Sequence, residues 1–301
     1  MEKSFLEKLL KNPDKISNLK FDEISPIISE AKTIIQEETL IMDLQMKNED
    51  DIALVIGDIH GNLESLKNFL NMIKKDQPAH VIFLGDIVDR GAKQLECLIT
   101  VLCLKILEPK RYVFLRGNHE TIEMNRYYGF YDDFHYRFGN KGRYSEIASL
   151  YEVLPICTIV NEKIACLHGG IPEYIDVFNE LKDKRAVDLF DHEDSSLEEA
   201  IYQILWNDPK EGLKGYMGSY RGPGIKFFGE DVFEEFLEKN NLNYVIRAHE
   251  CFEGVGYRWF FNGRLLSLFS SENYRGDFFP NPAGYALIQN TQISPEEFVS
   301  S

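Results

Sequence analysis

Asp58 and His60 stand two residues apart in Gly57-Asp58-Ile59-His60-Gly61-Asn62, an oxygen and a nitrogen donor that can reach one divalent ion across a turn. Asp86, in Gly85-Asp86-Ile87-Val88-Asp89-Arg90-Gly91, has two carboxylate oxygens and can bridge two ions. Asn118 in Gly117-Asn118-His119-Glu120, His168 in His168-Gly169-Gly170 and His249 in Arg247-Ala248-His249-Glu250 can complete the second. Two ions about 4 Å apart clamp a phosphate and activate the water between them. His119 suits another task, because a leaving alkoxide needs a proton and imidazole titrates near neutrality. Asp89 can hold and polarise that imidazole, and Arg90 offers a donor fork for phosphate oxygens. Singly, each cluster is a weak signal, since a Gly-Asp pair after a strand is usually a turn. Together they are specific: four of the seven histidines fall in them, whereas His80, His135 and His192 read as structural or exposed.

These side chains need rigid elements that end in loops. Ile52–Ile56, His80–Leu84 and Arg111–Leu115 read as short buried strands, with helices at Leu63–Lys74 and Gln94–Leu107 between them. Ile156–Val160, Lys163–Leu167 and Tyr244–Arg247 read as further strands. Polar clusters follow most of these strands, and in α/β sheets ligands collect beyond the C-terminal strand ends. The spacing predicts helices near Phe5–Leu10 and over Ile24–Leu44, a glycine-rich loop over Pro209–Phe228 and β-structure from Gly254 to Ile288. The simplest division is a helical segment at 1–50 packed on a catalytic domain at 51–290, with a loosely docked polar tail at 291–301.

Composition narrows the partners. Lys plus Arg is 33 against 49 Asp plus Glu, a formal charge of -16, which is a poor match to a nucleic-acid backbone. A phosphate site in such a chain needs strong local positive charge, and two divalent ions with arginines supply it. The five cysteines, Cys97, Cys103, Cys157, Cys166 and Cys251, match no zinc spacing and read as buried reduced thiols. There is no N-terminal apolar leader and no run of eighteen apolar residues, so the expected setting is cytoplasmic, away from membranes.

The ordered blocks GDIHG, GDIVDRG, RGNHE, HGG and RAHE resemble the PPP family of metal-dependent protein serine/threonine phosphatases, of which calcineurin is one. The likeness continues through 128–134, 154–170, 205–209, 220–229 and 268–278, and spans roughly residues 20–288. It implies an α/β, calcineurin-like metallophosphoesterase fold, a central β-sandwich of mixed sheets flanked by helices. One metal would take Asp58, His60 and Asp86; the other would take Asp86, Asn118, His168 and His249. Arg90 and Arg221 would bind the phosphoryl oxygens with Asn118 and His119 assisting, and His119 with Asp89 would donate the proton. Tyr274 would lie near the site, with Asp208 beside it. The family's ions are manganese, or iron with zinc, and its partners are phosphoproteins, regulatory subunits and inhibitors. The resemblance implies direct hydrolysis of phosphoserine and phosphothreonine by a hydroxide that the two ions activate. The metal set alone also suits dinucleoside polyphosphate hydrolases and phosphodiesterases. Two departures stand out: Glu250, where eukaryotic members usually have glutamine, and Arg275, where many have cysteine. The compact build and acidic bias resemble prokaryotic and archaeal members.

Overall fold

Runs such as Ile52–Ile56 are too short for an amphipathic helix and apolar on both faces, and they fold as strands covered from both sides. The computed structural model describes residues 2–189, 195–276 and 278–300; His192, and Asp277 within the 268–278 stretch, lie outside them. In chain order the strands are Ile41–Leu44 (β1), Ile52–Ile56 (β2), His80–Phe83 (β3), Tyr112–Phe114 (β4), Cys157–Val160 (β5), Ile164–Leu167 (β6), Asp208–Pro209 (β7), Tyr216–Gly218 (β8), Lys226–Phe228 (β9), Tyr244–Arg247 (β10), Tyr257–Phe260 (β11), Leu265–Leu268 (β12), Ala283–Gln289 (β13) and Gln292–Phe298 (β14). Two mixed sheets form the sandwich, ordered β1-β5-β6-β10-β12-β11 and β14-β13-β2-β3-β4. Within them β2-β3-β4 and β6-β10-β12 are parallel runs.

Period-two alternation decides which face each residue covers. Ala53 and Val55 of β2, Ile82 of β3, Ile164 and Cys166 of β6 and Ile246 of β10 fill the space between the sheets. Leu54, Ile56, Val81 and Phe83 face outward under the helices α1 (Lys3–Lys11), α2 (Phe21–Ile35), α3 (Leu63–Asp76) and α4 (Gln94–Leu107). Ala165, Leu167 and Val245 face outward on the second sheet, under the helices Val177–Leu181, Ser195–Trp206 and Glu230–Lys239. No described helix is long and apolar enough to cross a membrane. Cys97, Cys103, Cys157 and Cys166 are buried unpaired thiols, while Cys251 is half-buried.

Helix α4 is apolar around almost its whole circumference, yet it carries Lys105, fully buried. The amine donates to the carbonyls of Pro109 at 3.0 Å and Tyr112 at 2.8 Å and pairs with Glu38. Burial lowers the amine's pKa and raises the Glu38 carboxyl, so desolvation outweighs the attraction of the pair. Removing one partner still leaves the others stranded. Lys105→Met is therefore expected to lower stability by about 2–4 kcal/mol, read from denaturant unfolding, with activity per folded molecule unchanged.

Three segments differ from the sequence expectation. The helix expected over Ile24–Leu44 ends at Ile35, and Ile41–Leu44 pairs in parallel with β5. Four apolar-rich residues carry too little periodicity to separate strand from helix. The Pro209–Phe228 stretch is a small sheet, β7-β9-β8, rather than a loop. Its strands are two or three residues long and its turns bend at glycines of positive φ, including Gly222 and Gly224, so the glycines dominate the pattern. The polar C-terminal stretch forms β14, paired with β13 from Gln289↔Gln292 to Ala283↔Phe298 around Asn290, φ 54°. It is an edge strand with one face in water, which accounts for its polarity.

Candidate dimetal active site

The residues following β2, β3 and β4 meet those following β6, β10 and β12, so the site joins the two sheets. The His249 N–H donates to Asp58 Oδ1 at 3.0 Å, and the Gly57 N–H donates to Ser270 Oγ at 2.7 Å, each linking one sheet to the other. His60 Nδ1 lies 2.9 Å from the Val88 carbonyl, and His168 Nδ1 lies 2.9 Å from the Leu84 carbonyl. A carbonyl only accepts, so each Nδ1 carries the proton and each Nε2 is free to bind a cation.

Those Nε2 atoms point at other acceptors. His60 Nε2 is 3.6 Å from Asp86 Oδ2 and 3.7 Å from Asp58 Oδ2. His168 Nε2 is 2.9 Å from Asn118 Oδ1, 3.4 Å from Asp86 Oδ1 and 3.2 Å from His249 Nδ1. The two Asp86 oxygens thus face two different histidines. Two triads result, His60–Asp86–His119 and Asp86–His168–His249, in each of which the donor atoms lie within 4.8 Å of one another. The first triad has His119 where the sequence reading expected Asp58; Asp58 Oδ2 lies 3.7 Å from His60 Nε2 and can serve that ion in its place, while His119 is already held at Nδ1 by Asp89, 2.7 Å away. Converging buried lone pairs are unfavourable unless a positive charge sits among them, so the donor set fits two divalent ions.

The electrostatics agree. Burial and the charge of Asp86 raise the Asp58 carboxyl, while burial and His119 lower His60 to about 3. Burial and Arg221 hold His249 neutral, the form that binds metal, and its Nδ1 faces His168 Nε2 at 3.2 Å while its Nε2 has no hydrogen-bond partner among the described residues. Asp86 stays ionised against its burial because His168 and His119 stand beside it. His168 is raised against its burial by the same Asp86.

The backbone is bent to make this possible. His60, Asp86, Asp89, Arg90 and His249 have φ of 47°, 53°, 68°, 71° and 72°, each costing on the order of 1–3 kcal/mol. Glu120 secures the turn after β3, its carboxylate accepting the N–H groups of Asp86 at 2.8 Å, Ile87 at 2.9 Å and Gly117 at 2.8 Å. Burial and Asp86 push that carboxyl up to about 7, and the N–H donors of Asp86 and Ile87 pull the other way. Gly85, at φ 101°, leaves no room for a side chain: a Cβ would stand 2.3 Å from the Gly117 nitrogen. Glutamine at 120 has one acceptor oxygen for three donors. Glu120→Gln is expected to lower kcat/KM about tenfold to a hundredfold in a protein that still folds, measured by steady-state kinetics beside circular dichroism.

His119 is held at Nδ1 by Asp89 Oδ2, 2.7 Å away. Asp89 also accepts the Asn125 amide at 2.9 Å and the Phe130 N–H at 3.2 Å, and Asn125 in turn donates to the His119 carbonyl at 2.7 Å and takes the Tyr144 hydroxyl. Burial opposes the imidazolium, but Asp86 and Asp89 outweigh it and raise its pKa. Asn125, buried on the helix Ile122–Tyr128, and Tyr144, at the start of the helix Tyr144–Tyr151, escaped the sequence reading, because only their burial marks them. Arg247 was also missed. It is wholly buried and donates to Gly169, Glu250, Ser267, Asn207 and Asp208. Asp208 carries two arginines, Arg247 at 2.8 Å and Arg221 at 2.5 Å.

A cleft of about 1180 Å³ opens over these groups, lined by Asp58, His60, Asp86, Asn118, His119 and His249 together with Arg90, Arg221 and Tyr274. The Tyr274 ring stacks on His60 at 5.1 Å, and the Arg90 guanidinium carbon sits 3.8 Å over the Tyr128 ring. His168 lies beneath, fully buried. His80 and His135 take no part: each ring bonds a backbone carbonyl, of Lys110 and Tyr131 respectively.

A family model described as calcineurin-like phosphoesterase matches residues 53–252. Among solved structures, a Saccharomyces cerevisiae protein serine/threonine phosphatase with similarity to human phosphatase PP5 is 29% identical, with a TM-score of 0.84 over 100% of this chain and 97% of that one. A cold-active protein tyrosine phosphatase is 17% identical, TM-score 0.59, over 89% and 82% of the two chains. Another structure, of the cold-active protein tyrosine phosphatase of a psychrophilic Shewanella, is 15% identical, TM-score 0.55, over 87% and 83%. At those identities the last two share the fold. The matched segment runs from β2 to just past His249 and so carries every donor of the two triads, and the chain belongs to the family of calcineurin-like, metal-dependent phosphoesterases.

Proposed function

We propose that the protein is a protein serine/threonine phosphatase that hydrolyses phosphoserine and phosphothreonine directly, with no phosphoenzyme. One observation carries this most: the two Asp86 oxygens face separate histidine sets at the floor of an open cleft, with the His119–Asp89 pair beside them. The full-length likeness to the yeast serine/threonine phosphatase supports the substrate class.

In this reading Asp58, His60 and Asp86 hold one ion, and Asp86, Asn118, His168 and His249 hold the other. Two divalent ions there, manganese by preference or iron with zinc, would neutralise the phosphoryl oxygens and acidify the attacking water. Arg90 and Arg221 grip the phosphoryl oxygens, and both charges are preset: the Tyr128 ring supports Arg90, and Asp208 fixes Arg221. Asn118 and His119 assist that grip, and Tyr274 walls the phosphate site against His60. His119, oriented by Asp89, gives its Nε2 proton to the departing serine or threonine oxygen. Phosphoproteins are the substrates in this reading.

Metal analysis of the protein as isolated, paired with a panel of phosphopeptides and dinucleoside polyphosphates, tests it. About two divalent ions per chain and a preference for phosphoserine and phosphothreonine peptides are expected. A preference for the nucleotides would overturn the substrate assignment.

A further inference from the structure

The charged groups lining the cleft fall into two sets with different electrostatic states. Asp14 and Glu64 both already pair with Lys67, at 2.6 and 2.8 Å, and the Glu272 carboxylate accepts the Ser300 N–H at 3.0 Å. Glu250 is taken by Arg247 at 2.8 Å. Each of these acids thus already has a hydrogen-bond or ion-pair partner within the chain. Lys93, Arg258 and Arg275 also line the cleft; the two arginines are exposed, and among the described residues none of the three has a carboxylate within ion-pair distance.

Both arginines sit on one braced wall. Buried Asn281 accepts the Tyr274 N–H at 3.0 Å, donates to the Ser271 carbonyl at 2.8 Å and contacts Cys251 Sγ at 3.7 Å. The Gly254 N–H donates to the Pro280 carbonyl at 3.0 Å. The stretches 251–255 and 271–281 are thus tied together. The Arg258 guanidinium carbon lies 5.1 Å from the Phe260 ring centre and 5.9 Å from that of Phe252, an arrangement that holds the group in place and leaves N–H donors for a carboxylate. Arg275 directly follows Tyr274, whose ring stacks on His60, and lines the same cleft.

We infer that Arg258 and Arg275 form a subsite for acidic side chains, so that the enzyme favours phosphopeptides bearing Asp or Glu a few residues from the phosphorylated serine or threonine. The inference rests on the phosphopeptide reading above. An extended substrate advances about 3.4 Å per residue, which brings a carboxylate two to four positions away within an arginine's reach of the wall. The net charge of -16 repels acidic peptides at long range, but salt at about 0.15 M screens that field within about 8 Å, and the local unpaired charges then decide.

The test measures kcat/KM at that salt for a phosphothreonine peptide flanked by alanines, two counterparts with Asp on the N-terminal or the C-terminal side, and lysine versions of both. One Asp peptide is expected to exceed the alanine peptide about fivefold to tenfold, the gain appearing in KM. In the double variant Arg258→Glu/Arg275→Glu that ratio is expected to fall to one or below, with a lysine peptide now preferred. A ratio taken within each variant cancels any loss of folded enzyme. Equal rates for all the peptides, or an acidic preference that survives the double reversal, would overturn the subsite alone. Hydrolysis of p-nitrophenyl phosphate with no phosphopeptide turned over would overturn the phosphopeptide reading and the subsite with it.

Discussion

Asp86→Asn is expected to deplete both ions from the purified protein, whereas Asp58→Asn depletes only one. The difference follows from geometry. Asp86 Oδ2 faces His60 Nε2 at 3.6 Å and Asp86 Oδ1 faces His168 Nε2 at 3.4 Å, so one residue serves both donor sets. Asparagine keeps one oxygen and puts an uncharged NH2 where the other stood, so one set loses a donor and both lose the negative charge. Asp86 Oδ1 also accepts the His119 N–H at 2.9 Å, so the turn carrying Asn118 and His119 loosens as well. Metal content should fall from about two ions per chain to well under one, and turnover by roughly a thousandfold or more. Elemental analysis of the dialysed protein reads the first number and phosphopeptide kinetics the second. An Asp86→Asn protein that keeps both ions would disprove the bridging role.

The donors were legible in the sequence because strand ends advertise themselves. A buried apolar run that stops at Gly-Asp or at His-Gly-Gly leaves a polar side chain where two parallel strand edges must meet, and Asp58, Asp86, His168 and His249 all stand there. The left-handed backbone at His60, Asp86 and His249 was not legible, because no residue type demands it. What fixes it is tertiary: the Asp86 carbonyl accepting the His60 N–H at 2.8 Å, and the Glu120 carboxylate accepting three N–H groups from two separate turns. Arg247 illustrates the same limit. Its sequence neighbours show an ordinary strand end, and only packing reveals five partners spread from Gly169 to Ser267. The fold errors share one cause. In β1, in the sheet β7-β9-β8 and in β14, strands of two to seven residues take their identity from a partner distant in sequence or from an edge position, while local pattern favoured helix, loop or tail.

His119→Gln separates proton donation from every other task of the site. Its Nδ1 is committed to Asp89 at 2.7 Å, so its Nε2 is the atom left for chemistry, and it faces the cleft 3.9 Å from Asp86 Oδ2. A serine or threonine alkoxide is a poor leaving group and needs that proton in the transition state; a nitrophenolate leaves without it. Glutamine reaches a similar position but cannot give up a proton. Turnover of a phosphothreonine peptide should therefore fall by about 10²–10⁴, and that of p-nitrophenyl phosphate far less, with metal content near normal. Asp89→Asn should show the same imbalance in weaker form, because the imidazole survives but loses the carboxylate that orients it and favours its charged state. The ratio of the two losses is the informative quantity. A ligand defect or a misfolded fraction lowers both substrates alike, whereas a missing acid penalises the poor leaving group alone. Equal losses on the two substrates would remove His119 from the role of acid, even if both were large.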